Sequence, residues 1–73
     1  MTPSHSVRLV KMANEIARNL SAGGDEVQAA ARVADHLRRF WARDMQQQLH
    51  AYVAQGGSGL LPAARRGLAQ LRD

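Results

Sequence analysis

Residues 25–55 read DEVQAAARVADHLRRFWARDMQQQLHAYVAQ, and their apolar side chains recur every three or four positions. The recurring positions are Val27, Ala30, Ala31, Ala34, Leu37, Trp41, Met45, Leu49 and Tyr52 or Val53. This spacing places them on one face of an α-helix, whereas a half-buried strand would alternate apolar and polar residues. The pattern therefore predicts helical structure from about residue 26 to residue 54.

The start of this central segment is clearly marked, but the pattern does not determine whether the helix continues through its middle. Asp25 is a good N-cap, and Gln28 three residues later gives a variant of the capping box. A single helix over this whole segment would be long for so small a chain. Asp44 offers a second N-cap, with Gln47 three residues beyond it. Both a continuous helix and a kink or break near Ala42–Asp44 fit the pattern.

The flanking segments predict two further helices. One covers about residues 7–20, with Ser6 as its N-cap, and the other about residues 62–72, with Pro62 in its first turn. Their apolar stripes are Leu9, Met12, Ala13, Ile16, Ala17 and Leu20 in the first, and Leu61, Ala64, Leu68 and Leu71 in the last. We therefore expect an all-α fold, a single helical domain over residues 1–73 built as a small bundle of three or four helices.

Composition limits how this chain can be stabilised. It has 73 residues and no cysteine, which excludes disulfides and the commonest structural zinc sites. Chains this short usually need a disulfide, a metal or a partner to offset conformational entropy, so a partner is the expected stabiliser. No segment approaches the ~20 consecutive apolar residues of a membrane span, and residues 1–8 lack a secretory signal. These features predict a cytoplasmic protein with no membrane partner.

The charge balance narrows the class of partner only slightly. Ten basic residues, nine of them arginine, stand against six acidic ones and give a net charge of +4. Arginine makes bidentate contacts with carboxylates and phosphates alike. The surplus is therefore compatible with nucleic acid, an anionic membrane or an acidic protein surface. Arginine-rich usage also follows from a GC-rich genome without any functional reason.

The sequence offers no catalytic, metal-binding or cofactor-binding group. The glycine-rich residues 56–59 lack the preceding strand and the following Lys-Ser or Lys-Thr pair of a phosphate loop, so a helix end and a tight turn explain them better. His5, His36 and His50 are scattered along the chain, in contrast to the clustered ligands of a metal site. We expect no cofactor in this chain.

The segment HLRRFWARDM at 36–45 is the strongest candidate for a binding surface. Trp and Arg are the residues most enriched at interface hot spots. Phe40 and Trp41 lie about 100° apart on a helix, so one is expected to pack inside with Leu37 and the other to form an exposed anchor. Met12 is expected to pack nearby. The predicted partner-binding residues are Arg38, Arg39, Phe40, Trp41, Arg43 and Met45. A core tryptophan surrounded by solvated arginines remains the alternative interpretation.

Three segments, in this order, resemble one known family: MANEIARNL at 12–20, HLRRFWARDM at 36–45 and GGSGLLP at 56–62. The resemblance is to the delta subunit of the soluble, molybdenum-containing NAD-dependent formate dehydrogenases of bacteria, whose members are short, cysteine-poor and helical. They typically contain His-Ile-Arg-Arg-Phe-Trp-x-Pro-Arg-Met in the middle. The family's proline falls at Arg43 here, so this chain lacks the residue that would impose a helix break.

The resemblance implies a noncatalytic accessory subunit. In such complexes formate is oxidised to CO2 at a molybdenum–pterin centre in the alpha subunit, and electrons pass through iron–sulfur clusters to FMN and NAD in other subunits. The delta subunit carries none of these cofactors. Its implied role is to bind the complex, through the alpha subunit, and to support its stability, assembly or cofactor loading.

Two other classes of function stay open from the residues alone. A small basic nucleic-acid-binding regulator is the main alternative, although the spacing of the segments shows no helix-turn-helix. A free-standing homodimeric helical bundle is the other. Neither accounts for the three segments that carry the family resemblance.

Overall fold

Four α-helices make up the fold in a computed structural model that describes residues 4–20 and 25–71. The helices are α1 (Ser4–Leu20), α2 (Glu26–Phe40), α3 (Arg43–Ala54) and α4 (Pro62–Ala69). The described residues contain no strand. The predicted all-α class is therefore confirmed, and the central segment is two helices separated at Trp41 and Ala42.

Two predicted helix boundaries were wrong. Helix α1 begins at Ser4, so Ser6 lies inside the helix and is not its N-cap. The helix propensities of Ser and His differ from that of a good helix former by less than ~0.7 kcal/mol, too little to determine where a helix starts. Helix α4 ends at Ala69, short of the predicted residue 72, which lies outside the described part of the chain. The N–H of Leu71 donates to the carbonyl of Leu68 in a tightened last turn.

Helix α1 buries a face turned slightly from the predicted stripe. Its buried side chains are Leu9, Val10, Ala13, Asn14 and Ala17. Met12, which was expected to pack inside, is instead 39% exposed. The shift arises because Asn14 points inward to bond the segment between α3 and α4. Its Nδ2 donates to the carbonyl of Gly59 at 2.8 Å, and its Oδ1 accepts from the N–H of Leu61 at 2.8 Å.

Helix α2 starts as predicted and packs closely on α4. The Oδ1 of Asp25 accepts a hydrogen bond from the N–H of Gln28 at 2.8 Å, which confirms Asp25 as the N-cap. Gly67 of α4 lies so near α2 that a Cβ atom there would be 2.7 Å from Val33 Cγ1 and 2.9 Å from the Ala30 carbonyl oxygen. The absence of a side chain at position 67 therefore sets the distance between the two helices.

The glycine-rich turn ends α3 in a Schellman motif. The N–H of Gly57 donates to the carbonyl of Tyr52 at 2.9 Å, and that of Gly56 to the carbonyl of Val53 at 3.0 Å. Gly56 has a φ of 92°, in the left-handed region that favours glycine. The predicted helix end and tight turn are confirmed.

The helices enclose a core of mostly small side chains around a few large ones. Leu37, Leu49 and Val33 are the largest fully buried side chains, and alanines from three helices fill the space between them. Among the described residues, no helix is long and apolar enough to cross a membrane. This core supports the junction between α2 and α3, where the predicted binding residues lie.

Candidate interaction surface at the junction of α2 and α3

The junction between α2 and α3 breaks the helical path without a proline. Trp41 and Ala42 have extended backbones, with ψ values of 136° and 152°, and α3 restarts at Arg43. Arg43 thus occupies the first position of the helix, where a proline would be tolerated. Asp44 was predicted to cap α3 but lies in its first turn, where its carboxylate interacts favourably with the helix dipole. The N-cap is Ala42, whose side chain makes no capping bond.

The side chain of Gln46 holds this junction together. Its Nε2 donates to the carbonyl of Leu37 and to that of Trp41, each at 3.0 Å. The carbonyl of Leu37 also accepts the N–H of Trp41 at 3.0 Å, whereas that of Trp41 lies past the end of α2, where backbone acceptors lack a helical partner. Gln46 thus gives the Trp41 carbonyl the donor that a continuing helix would have provided, and gives the Leu37 carbonyl a second donor. Sequence reasoning missed this residue, because a glutamine in a QQQ run carries no local signal of such a role.

The two aromatic residues at the junction have opposite environments. Trp41 is 7% exposed and joins the core cluster that includes Leu37 and Leu49. Phe40 is 70% exposed, more than Val27, Val7 or Met12, the other large exposed apolar side chains of the described residues. The end of the helix directly after Phe40 allows Trp41 to turn inward while Phe40 stays on the surface.

Phe40 lies at one end of a shallow groove along the outer side of α2, here called the outer α2 groove. Its lining residues are Leu20, Ala31, Arg32, Asp35, His36, Arg39 and Phe40. The ring of His36 lies 4.8 Å from that of Phe40, at an interplanar angle of 47°. The groove is open to solvent and has a volume of about 350 Å³. Small-molecule pockets span roughly 300–1,000 Å³ and enclose their ligands, so this groove is better suited to a protruding side chain.

Two arginines form the cationic edge of the outer α2 groove. Arg39 Nε lies 3.3 Å from Asp35 Oδ2, and both side chains are more than half exposed. Arg32 Nη1 donates to the carbonyl of Leu20 at 3.2 Å, which holds its guanidinium at the end of α1. A guanidinium has five donors, so each of these groups keeps hydrogen-bonding capacity for a further acceptor. The groove thus combines apolar ends with a positively charged edge.

The remaining predicted binding residues are distributed differently. Arg38 is exposed but lies about 200° around α2 from Phe40, so it faces another side. Arg43 is exposed at the start of α3, and neither arginine has an ion pair within the described residues. Met45 is half-buried and packs against the core. Of the six predicted residues, the structure brings Arg39 and Phe40 together in the outer α2 groove.

Outside this groove, buried polar side chains and possible metal ligands are the other candidate features for a site. Asn14 is the single buried polar side chain among the described residues, and both the oxygen and the nitrogen of its amide are hydrogen-bonded. Within residues 4–20 and 25–71, no three His, Asp or Glu side chains lie close enough to hold a metal ion. Among grooves of similar volume, the outer α2 groove contains Phe40, the most exposed large apolar side chain of the described residues, and it is therefore the candidate functional surface.

Comparison with known proteins identifies the family. A family model described as NADH-dependent formate dehydrogenase delta subunit FdsD matches residues 8–68, a range that contains Asn14, the junction of α2 and α3, and the glycine-rich turn. No curated protein and no solved structure is significantly similar to the chain. The match confirms the resemblance found in the three sequence segments. The chain belongs to the FdsD family of NADH-dependent formate dehydrogenase delta subunits.

Proposed function

We propose that this chain is a noncatalytic subunit that binds a cytoplasmic NAD-dependent formate dehydrogenase complex through its alpha subunit and stabilises or helps to assemble it. Formate is then oxidised to CO2 elsewhere in the complex. The molybdenum–pterin centre, the iron–sulfur clusters, FMN and NAD belong to the other subunits, and this chain binds none of them. The observation that carries the proposal is the 70% exposure of Phe40 in a chain of this family.

The exposed ring of Phe40 offers apolar surface that a partner can bury. Burying such a side chain is worth roughly 1.5–3 kcal/mol relative to leaving it in water. The ring of Phe40 contacts that of His36 on one side, so part of its conformational freedom is already lost before a partner covers it. Phe40 and Arg39 line the same groove, and an aromatic residue together with an arginine is typical of an interface hot spot.

The other predicted binding residues take two roles in this proposal. Arg38 and Arg43, both exposed, would extend the contact beyond the outer α2 groove as rim charges. Trp41 and Met45 would act from inside, because they pack in the core beneath the junction and fix the position of Phe40. The partner surface is thus proposed to centre on Phe40 and Arg39.

Co-expression with a tagged alpha subunit tests the proposed partner. We expect the untagged chain to co-purify with alpha in a fixed ratio, and deletion of the chain to lower formate dehydrogenase activity. A chain that elutes alone, together with formate activity unchanged by its deletion, would contradict the proposal. A gel-shift titration with double-stranded DNA at low salt addresses the nucleic-acid alternative, because phosphate contacts are strongest there. No shift is expected.

A second measurement separates stabilisation from assembly. The complex is purified from cells that lack this chain, and the purified chain is then added back. A structural role predicts that the added chain restores the thermal half-life of the activity. A role in cofactor loading predicts a low molybdenum content per alpha subunit that addition of the chain leaves unchanged.

A further inference from the structure

We infer that the partner surface that receives Phe40 is acidic: it presents an apolar side chain to the outer α2 groove and at least one carboxylate to Arg39. This inference rests on the proposed function and adds the chemistry of the partner to it. The expected partner is a protein segment in which Asp or Glu flanks a protruding apolar residue.

The apolar residues at the two ends of the groove indicate that the partner presents an apolar side chain there. Leu20 at the end of α1 and Phe40 at the end of α2 are both lining residues, with Ala31 along the side. A partner segment lying along this groove would contact the aromatic ring at one end and the aliphatic residue at the other. Because both are partly or largely exposed in the free chain, the contact would remove apolar surface of both proteins from water.

The weak ion pair between Arg39 and Asp35 leaves Arg39 available to a carboxylate of the partner. Arg39 pairs with Asp35 at 3.3 Å, and the two side chains are 68% and 55% exposed. Exposed pairs of this kind contribute little to stability, so the guanidinium exchanges its acceptor readily. A partner carboxylate that is shielded from water beside Phe40 would pair with Arg39 in a less polar environment, where the interaction is stronger.

The overall charge favours the same partner. The chain carries a net charge of +4, and Arg32 and Arg39 exceed Asp35 in the groove by one positive charge. Arg38 and Arg43, exposed nearby in sequence and without an ion pair in the described residues, add two positive charges near this end of α2, and the exposed Asp44 offsets one of them. Complementary charge speeds association and selects the correct partner.

The test measures the affinity of the full chain for the purified formate dehydrogenase complex that lacks it, at salt concentrations between about 0.05 and 0.5 M. Arg39→Gln is compared with Arg65→Gln, an exposed arginine outside the groove, so that both variants lose one charge. Asp35→Asn is compared with Glu15→Gln, so that both lose one negative charge.

An acidic partner predicts a specific pattern. Salt weakens binding by about tenfold over this range, because it screens the attraction of the exposed Arg38 and Arg43 to the acidic surface. Arg39→Gln weakens binding by about tenfold and Arg65→Gln by less than twofold. Asp35→Asn tightens binding about threefold, since it removes the carboxylate that competes with the partner, whereas Glu15→Gln has little effect.

Two outcomes overturn the inference and are distinguishable. If the chain binds with an affinity that is independent of salt, and Asp35→Asn matches Glu15→Gln, the partner is not acidic and the proposed function still stands. If the unmodified chain does not bind the complex at any salt concentration, the proposed function fails and the inference fails with it.

Discussion

Phe40 and Trp41 are neighbours in the chain, yet Phe40 is 70% exposed and Trp41 is 7% exposed. The helix ends between them, and Gln46 holds the carbonyls of Leu37 and Trp41 at that end. One aromatic ring therefore stabilises the fold and the other remains available to a partner. This division allows stability and binding to be tested by separate substitutions.

Trp41→Ala is expected to destabilise the chain itself. Truncating a buried aromatic side chain costs about 3–5 kcal/mol, a large part of the ~5–15 kcal/mol that stabilises a typical domain. The change should be seen as a loss of cooperative thermal unfolding by far-UV circular dichroism. Retention in the complex should fall as well, and more than for Arg65→Ala on the exposed side of α4. Equal retention of the two variants would contradict this assignment.

Gln46→Met should loosen the junction of α2 and α3. Methionine has a similar length but no donor, so the carbonyls of Leu37 and Trp41 lose their side-chain partner, at a cost of about 1–2 kcal/mol. The single tryptophan of the chain reports on this region, and its fluorescence should shift to longer wavelength. Gln47→Met, at an exposed neighbouring position, serves as the control. The same emission spectrum for both variants would show that Gln46 does not hold the junction.

Gly67→Ala should destabilise the chain although alanine is the better helix former. Helix propensity alone would favour alanine by about 1 kcal/mol. The new methyl group would overlap Val33 and the carbonyl of Ala30, and overpacking typically costs about 1–3 kcal/mol. We expect a lower melting temperature, and a double variant with Val33→Ala that loses less than the sum of the single changes. A higher melting temperature for Gly67→Ala would refute the close approach of α2 and α4.

Asn14→Leu should detach α1 from the segment between α3 and α4. Leucine has nearly the same shape, but the carbonyl of Gly59 and the N–H of Leu61 would be left without their partner. Two unpaired and partly buried groups cost about 2–4 kcal/mol. Hydrogen exchange at the Leu61 amide should accelerate, whereas Asn19→Leu on the exposed side of α1 should leave it unchanged. Unaltered exchange in Asn14→Leu would show that Asn14 does not hold the segment between α3 and α4 to α1.

Sequence reasoning succeeds where the determining interaction is local. The Asp25 cap bonds a residue three positions away, and the Schellman turn at Gly56 depends on a single positive φ. The break near Ala42 was one of two open possibilities, because nothing in the pattern separates it from a continuous helix. The bonds from Gln46 that stabilise it reach back five and nine residues.

The features that sequence reasoning missed depend on long-range contacts. Asn14 bonds residues 45 and 47 positions away, and this attachment turns α1 so that Met12 faces outward. The outer α2 groove likewise needs Leu20 from another helix to complete its lining. Helical spacing predicts which residues of α2 share its outer side, but it does not predict which neighbouring helix completes the surface.

Phe40 is proposed to be the binding anchor, and the comparison of Phe40→Ala with Val27→Ala is the decisive test of that role. Both residues are on α2 and largely exposed, at 70% and 61%, so either truncation should change the free energy of unfolding by less than about 0.5 kcal/mol. The measurement is the affinity of each variant for the formate dehydrogenase complex that lacks this chain. We predict a loss of at least about tenfold for Phe40→Ala, equal to about 1.4 kcal/mol, and almost no loss for Val27→Ala. Equal affinities for the two variants would contradict the account.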